Sequence, residues 1–320
     1  METAITKMLG IQYPIIMAPM FLVSNTAMVI AALESGITAA IPALNYRTDT
    51  ELRAAVSEIK TKTNKSFGIN LIVNKSNFKY KTQLQTCLDL KVNFIITSLG
   101  SPQEVIEKCK ATGIKVFCDV IDLKYAQKVE ALGADGVIAV NSKAGGHAGN
   151  MEAEELILLL KKNIKIPIIS AGGIATGQQL KKVIDLGAEA ASIGTIFIAS
   201  NESPVSKEYK DALIQYGAKD IVKTTKLSGS ALTVINTPYV QSLGTEANFL
   251  ERLLNNHKLL KKWAKLLIAL KGMKAIEKAA FGATYKTVWC AGPSIEYIHS
   301  IRPVKEIIQT LIKEYEEVSQ

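Results

Sequence analysis

Three glycine-containing segments of this 320-residue chain each follow a short apolar run. Their sequences are Ala-Gly-Gly-His-Ala-Gly at 144–149, Ala-Gly-Gly-Ile-Ala-Thr-Gly at 171–177 and Gly-Thr at 194–195. If the apolar runs are parallel strands, their carboxyl ends share one edge of a sheet, and the three segments meet there. An ionisable imidazole beside two glycine turns is the layout of an active site.

The two later segments predict a phosphate site. Gly172, Gly173 and Gly194 let backbone N–H groups come close to a ligand, and the helix after each turn adds a favourable dipole. In (βα)8 barrels a phosphate usually lies in the loops after the seventh and eighth strands, which are the positions of these segments. A glycine turn can also serve only to reverse the direction of the chain. Two such turns one βα unit apart nevertheless favour the interpretation as a phosphate site.

Two further side chains are candidates for chemistry. His147 lies in the loop after the sixth run, where a neutral imidazole can take a proton at physiological pH. The alternative is a structural histidine that caps a loop, and the position on the rim favours function. Asn70 ends the run Phe-Gly-Ile-Asn-Leu, and its carboxamide suits either a loop backbone group or the edge of a heteroaromatic ring. The two interpretations of Asn70 carry equal weight.

A metal site is not expected. The two remaining histidines are His257 and His299, and neither belongs to a cluster of Asp, Glu or His at the spacing of metal ligands. A structural role is the better interpretation of both.

The elements that must position these residues alternate between apolar runs and amphipathic segments. Eight runs are predicted as strands, at 14–18, 37–42, 67–72, 92–97, 114–120, 136–140, 166–171 and 190–194. Helices are predicted at 26–34, 51–60, 103–111, 125–132, 153–162 and 177–186. Gly113, Gly133 and Gly187 stand between a helix and the next strand, where a left-handed residue is needed. The predicted fold class is α/β, a (βα)8 TIM barrel.

The rhythm of strand and helix stops near residue 200. We therefore predict a barrel over 1–200 and, after its eighth strand, an inserted helical subdomain over 201–290 that includes a helix-forming stretch at 248–274. The segment 291–320 is expected to pack back on the barrel through a final helix at 303–318, whose apolar residues lie on one face.

Composition indicates a soluble protein. The net charge of +9 is spread over scattered lysines, which favours a solvated surface over a nucleic-acid site. The four cysteines show no Cys-x-x-Cys spacing, as expected in a reducing cytoplasm. No targeting segment and no membrane span is expected. The predicted location is cytoplasmic.

The order of the motifs resembles that of one family. The opening Leu-Gly-Ile-Gln-Tyr-Pro-Ile-Ile-Met-Ala-Pro-Met at 9–20, the Phe-Gly-Ile-Asn-Leu segment, the histidine loop, the glycine turn at 171–177 and Ala188–Phe197 are similar to nitronate monooxygenases, formerly called 2-nitropropane dioxygenases. Their superfamily includes FMN-dependent enoyl-acyl-carrier-protein reductases and an NADH:quinone reductase. The resemblance covers residues 5–200 and, weakly, Trp-Cys-Ala-Gly-Pro-Ser at 289–294. It implies FMN as cofactor.

The resemblance also implies a role for individual residues. His147 would be the catalytic base, Asn70 a flavin contact and Gly145 a backbone contact. The residues beside the flavin ring would be Ala18, Pro19 and Met20, and those that hold the phosphate would be Gly172, Gly173, Gly194 and Thr195. Asn141 and Ser192 would also lie at the cofactor, at positions where the family often has Gln. These departures, with Gly-Pro at 292–293 in place of Gly-Gln, indicate a divergent subgroup with its own substrate.

The function expected from this resemblance is oxidation of nitronates or nitroalkanes with O2. One alternative is an NAD(P)H-dependent reductase of an enoyl thioester or a quinone on the same FMN site. Another is a noncatalytic ligand-binding barrel. The expected partners are a small-molecule substrate and O2, without nucleic acid or membrane, and a homodimeric assembly stays open.

Overall fold

A computed structural model describes residues 1–74, 77–224, 231–245 and 288–319 of the chain. The predicted helix at 248–274 and His257 lie outside the described residues.

Eight parallel strands form a closed barrel, which confirms the predicted fold class. The strands are β1 (Ile15–Met17), β2 (Thr38–Pro42), β3 (Gly68–Ile72), β4 (Phe94–Ser98), β5 (Lys115–Val120), β6 (Gly136–Val140), β8 (Ile168–Ala171) and β9 (Ala190–Ile193). A short strand β7 (Gly146–His147) lies between β6 and β8 in the chain and outside the barrel. The pairing of Ile16 with Ser192 joins β1 to β9 and closes the ring.

Helices connect the strands and cover the barrel. They are α1 (Ala4–Leu9), α2 (Thr26–Glu34), α3 (Asp49–Lys62), α4 (Tyr80–Asp89), α5 (Gln103–Cys109), α6 (Leu123–Leu132), α7 (Ala153–Asn163), α8 (Gly177–Asp185), α9 (Thr195–Ile198), α10 (Lys207–Gln215), α11 (Pro238–Leu243) and α12 (Val304–Glu317). Every helix predicted in the barrel is present, and α1, α4 and the short α9 are additional. Gly113, Gly133 and Gly187 have φ of +78°, +93° and +109°, as predicted. None of the described helices is long and apolar enough to cross a membrane.

Side chains fill the barrel interior. The rings of Phe94 and Phe117 meet edge to face with their centroids 5.5 Å apart. Gly68 makes room for them, because a Cβ there would lie 2.2 Å from the Phe94 ring. Ile5 and Leu9 of α1 pack into the same interior cluster and close the amino end. Among the described residues the amino end is thus filled, and the carboxyl end, where the glycine loops lie, is where ligands of such barrels bind.

The segment after β9 contains strands as well as helices. β10 (Ile221–Thr224) and β11 (Leu232–Ile235) pair antiparallel, and β11 also pairs with β7. Both strands are rich in β-branched residues, which favour a pleated surface. α12 packs between α8 and α2 and completes the outer ring. The division of the chain into three domains stays a prediction.

Candidate active site

Asn141 joins two of the predicted loops. Its side chain is 1% exposed, and its Nδ2 donates to the Gly172 carbonyl oxygen at 2.9 Å. Its Oδ1 accepts from the backbone N–H of Lys143 at 2.8 Å. The side chain predicted to lie at the cofactor thus fastens the loop after β6 to the loop after β8. Ser192, the other such position, is buried on β9 opposite Ala171.

The two glycines after β8 allow the loop after β8 to pack closely against the loop after β6. Gly172 and Gly173 have φ of +114° and +77°, in the left-handed region that favours glycine. A Cβ at Gly172 would lie 2.4 Å from Asn141 Oδ1 and 2.6 Å from the backbone nitrogen of Ala144. A Cβ at Gly173 would lie 3.1 Å from Lys143 Cβ. Packing against the histidine loop is therefore enough to require glycine at 172.

Gly194 faces the residues predicted to line the flavin ring. The backbone N–H of Ala18 donates to the Ile193 carbonyl oxygen at 2.8 Å, which holds the end of β1 beside the end of β9. A Cβ at Gly194 would lie 3.5 Å from Met20 Sδ and 3.6 Å from Ala18 Cβ, both ordinary contact distances. The structure thus brings the segment Ala18-Pro19-Met20 next to Gly194.

The C-terminal segment reaches the same rim. The backbone N–H of Gly292 donates to Thr195 Oγ1 at 3.0 Å. A Cβ at Gly145 would lie 3.0 Å from the Gly292 nitrogen and 3.2 Å from Thr195 Oγ1. Three distant parts of the chain therefore meet at Thr195. The sequence signal for this role of Gly292 was the weakly matching motif at 289–294.

The amino end of α8 differs from the expectation of a helix dipole open to a phosphate. The N–H groups of Ala175 and Thr176 donate to Gln179 Oε1 at 2.8 and 3.2 Å. Gly177 N–H donates to Glu314 Oε2 of α12 at 2.7 Å. A carboxylate and a capping box already satisfy this helix end. A phosphate on this rim would have to use the backbone of the two glycine turns instead.

His147 stands on the second sheet. In the β7–β11 ladder it lies opposite Leu232, and Gly146 lies opposite Thr233. Thr233 Oγ1 donates to the Ala144 carbonyl oxygen at 2.6 Å and so fastens the loop before the histidine. The residue is exposed, yet the protein around the imidazole removes enough water to lower the pKa of His147 from its ordinary 6.5. The ring is therefore neutral at physiological pH and able to accept a proton.

Asn70 belongs to a polar network at the barrel mouth. Its Nδ2 donates to Ser98 Oγ at 2.7 Å and to the Ile96 carbonyl oxygen at 3.2 Å. Ser98 Oγ in turn donates to Asp119 Oδ2. The sequence reasoning missed Ser98 and Asp119, although a carboxyl inside the apolar run 114–120 was a usable signal.

Two further expectations concern His299 and a metal site. His299 is exposed just before α12. Across the described ranges no group of three or more His, Cys, Asp or Glu side chains could hold a metal ion.

A closed (βα)8 barrel whose carboxyl rim combines glycine loops with a neutral imidazole has the architecture of a barrel enzyme. The family model for nitronate monooxygenase matches residues 76–314. The chain therefore belongs to the nitronate monooxygenase family, and it is an oxidoreductase.

Relatives with different names share this similarity. A protein of Rhodococcus jostii named (3aS,4S,5R,7aS)-5-hydroxy-7a-methyl-1-oxo-octahydro-1H-indene-4-carboxyl-CoA dehydrogenase is 31% identical over 78% of this chain and 69% of its own. A nitronate monooxygenase of Pseudomonas aeruginosa is 28% identical over 72% of this chain and 78% of its own. The structure of FabK from Thermotoga maritima matches with a TM-score of 0.87 at 29% identity, covering 100% of this chain and 97% of that chain.

Proposed function

We propose that this chain is an FMN-dependent enzyme that oxidises nitronates and nitroalkanes with O2. The observation that carries the proposal is His147, a neutral imidazole beside glycines at the open end of the barrel. His147 is exposed, so a small molecule can reach it. A base with room for a small substrate is what removal of an α-proton requires.

The residues of the rim fit FMN. Backbone N–H groups at Gly172, Gly173, Gly194 and Thr195 would hold its phosphate, since glycine allows a ligand to approach the chain closely. The segment Ala18-Pro19-Met20 would lie against the ring. When bound, FMN supplies the redox chemistry by taking electrons from the substrate and passing them to O2.

The contribution of the chain itself is proton transfer and placement. A nitroalkane is neutral, and its α-hydrogen leaves as a proton to the free nitrogen of the His147 ring. The lowered pKa keeps the imidazole in its basic form at neutral pH. A nitronate has already lost that proton, so His147 would only orient it.

A second candidate is an NAD(P)H-dependent reductase of an acyl thioester. Two observations favour it: a relative that is 31% identical to this chain carries a CoA compound in its name, and FabK matches the whole length of this chain. FabK is an enoyl-acyl-carrier-protein reductase of the same superfamily. The same rim would then hold FMN, with NAD(P)H as the reductant.

Anaerobic absorbance spectra of the FMN-loaded protein test the two candidates. Propyl-nitronate should bleach the flavin band rapidly, and NAD(P)H should do so only slowly. Rapid bleaching by NAD(P)H, followed by reoxidation with an enoyl thioester, would establish the reductase instead. A protein that takes up no FMN from solution would refute both and favour a noncatalytic barrel.

A further inference from the structure

Asn70, Ser98 and Asp119 stand on three consecutive strands and face the interior of the barrel mouth. Side chains two residues apart on a strand point to the same side. Ser98 follows the interior residue Ile96 by two positions, and Asp119 follows the interior residue Phe117 by two. All three polar residues lie near the carboxyl ends of β3, β4 and β5, where ligands of such barrels bind.

The hydrogen bonds of this network have one possible direction. The Ile96 carbonyl oxygen can only accept, so the group of Asn70 that faces it is the NH2. Ser98 has one hydroxyl hydrogen, which it donates to Asp119, so its oxygen accepts the second hydrogen of Asn70. Both donors of Asn70 are therefore used. Its Oδ1 has no hydrogen-bond partner among the residues that the structure describes.

Asp119 is an acceptor under ordinary conditions. Although part of the residue stays accessible, the buried surroundings of the carboxyl raise the pKa of Asp119 to about 6, and the hydrogen bond from Ser98 opposes the rise. The carboxyl is thus ionised at pH 8. The neighbouring groups that sense its charge, Cys118 and Tyr125, both have raised pKa values and are neutral at that pH. The direction of the hydrogen bonds, from Asn70 to Ser98 and from Ser98 to Asp119, is therefore fixed.

We propose that Ser98 and Asp119 are positioning residues that hold Asn70 with its oxygen toward the ligand, so that this part of the rim accepts a hydrogen bond from a ligand N–H. The inference rests on the proposed binding of FMN. The oxidised flavin ring carries a single N–H, at N3, and that group would be the donor. The network would therefore select the cofactor by its N–H and would fix how the ring lies.

The probe is FMN methylated at N3, which cannot donate this hydrogen bond. Apoprotein at pH 8 is titrated with FMN and with 3-methyl-FMN, and binding is followed by quenching of flavin fluorescence. Wild-type protein should prefer FMN by about 10- to 100-fold, the range expected when a buried acceptor loses its donor. Ser98→Ala should reduce this preference by about 3-fold or more, whereas Ser98→Thr, which retains the hydroxyl, should preserve it.

Ser170→Ala is the matched control. The Ser170 hydroxyl is buried on β8 and has no partner among the described residues, so its removal should leave the preference unchanged. If Ser98→Ala fails to fold, as judged by circular dichroism, Asp119→Ala provides the same test and should also lower the preference.

The outcomes separate this inference from the proposed function. Tight FMN binding with no preference over 3-methyl-FMN would overturn the inference and leave the FMN enzyme standing. A wild-type preference that Ser98→Ala and Asp119→Ala both retain would also overturn it, because the methyl group would then act by size alone. Absence of FMN binding in the wild-type protein would refute the proposed function itself.

Discussion

Gly172→Ala is the substitution for which the structure makes the sharpest prediction. The new Cβ would lie 2.4 Å from Asn141 Oδ1 and 2.6 Å from the Ala144 nitrogen. The residue would also have to keep a φ of +114°, which L residues rarely adopt. Gly146→Ala is the control, since Gly146 has a φ of +75° but a Cβ there would meet nothing within 4 Å.

The comparison of the two variants separates most of the contact from the backbone strain. Left-handed φ costs an alanine about 1–2 kcal/mol at Gly146, and no less at the larger φ of Gly172. Overpacking at Gly172 adds about 1–3 kcal/mol, and loss of the hydrogen bond from Asn141 adds about 1 kcal/mol. We therefore expect Gly172→Ala to lower the free energy of unfolding by about 2–4 kcal/mol more than Gly146→Ala does.

Urea unfolding of both variants measures this difference, and FMN titration shows whether the loop has moved. Asn141→Ala removes the nearest of the atoms that the new Cβ would strike. The double variant Asn141→Ala/Gly172→Ala should therefore be more stable than the sum of the single effects implies. Equal destabilisation by Gly172→Ala and Gly146→Ala, or strict additivity in the double variant, would show that the two loops are not packed as described.

Four further outcomes are expected. Gly194→Ala should retain FMN, because its Cβ makes ordinary contacts with Met20, whereas Gly194→Asp should lose FMN because the carboxylate repels the phosphate. Fluorescence titration of both variants measures FMN binding, and full retention by Gly194→Asp would show that the phosphate lies elsewhere. His147→Asn should slow turnover of a neutral nitroalkane by about 10²–10⁴-fold and that of its nitronate less, and equal losses would assign His147 to binding. Because the pKa of His147 is lowered from 6.5, kcat/KM for a neutral nitroalkane should fall to half its plateau only below pH 6.5, as the imidazole is protonated; a half-fall at or above pH 6.5 would contradict the lowered pKa. The pKa of Asp119 is raised from 3.8 to about 6, so the folded state binds its proton more tightly and loses up to about 3 kcal/mol of stability as pH rises through that window. The free energy of unfolding of wild-type protein relative to that of Asp119→Asn, measured with urea at pH 4 and pH 8, should therefore fall by about this amount, and an unchanged difference would contradict the raised pKa.

The barrel was predictable because each of its strands is buried on both sides. Such strands appear as continuous apolar runs, and all eight runs became strands of the closed sheet. The glycines at 113, 133 and 187 were equally readable, since a helix that ends before a strand needs a left-handed residue. Each of these signals lies within a short stretch of sequence, so the sequence alone is enough to predict the barrel.

The parts that were not predictable depend on contacts between distant residues. Thr233 donates to Ala144 and Glu314 accepts from Gly177, in pairs separated by 89 and 137 positions. Asp119 lies within a predicted apolar run and Ser98 directly after another, and only the register of β4 against β5 brings them together. β11 is four residues long, too short to be told from a loop by its periodicity.

The placement of His147 follows from these distant contacts. A loop with glycines at 145, 146 and 149 loses much conformational freedom on folding and has few side chains with which to hold itself. Asn141 fastens its start to the turn after β8, Thr233 binds its middle, and Gly145 packs against Gly292. The segments that lie outside the barrel repeat thus supply the contacts that fix the imidazole. A base that takes a proton must be held within a fraction of an ångström, so the contacts that the second sheet and Gly292 make with this loop suit the role proposed for His147.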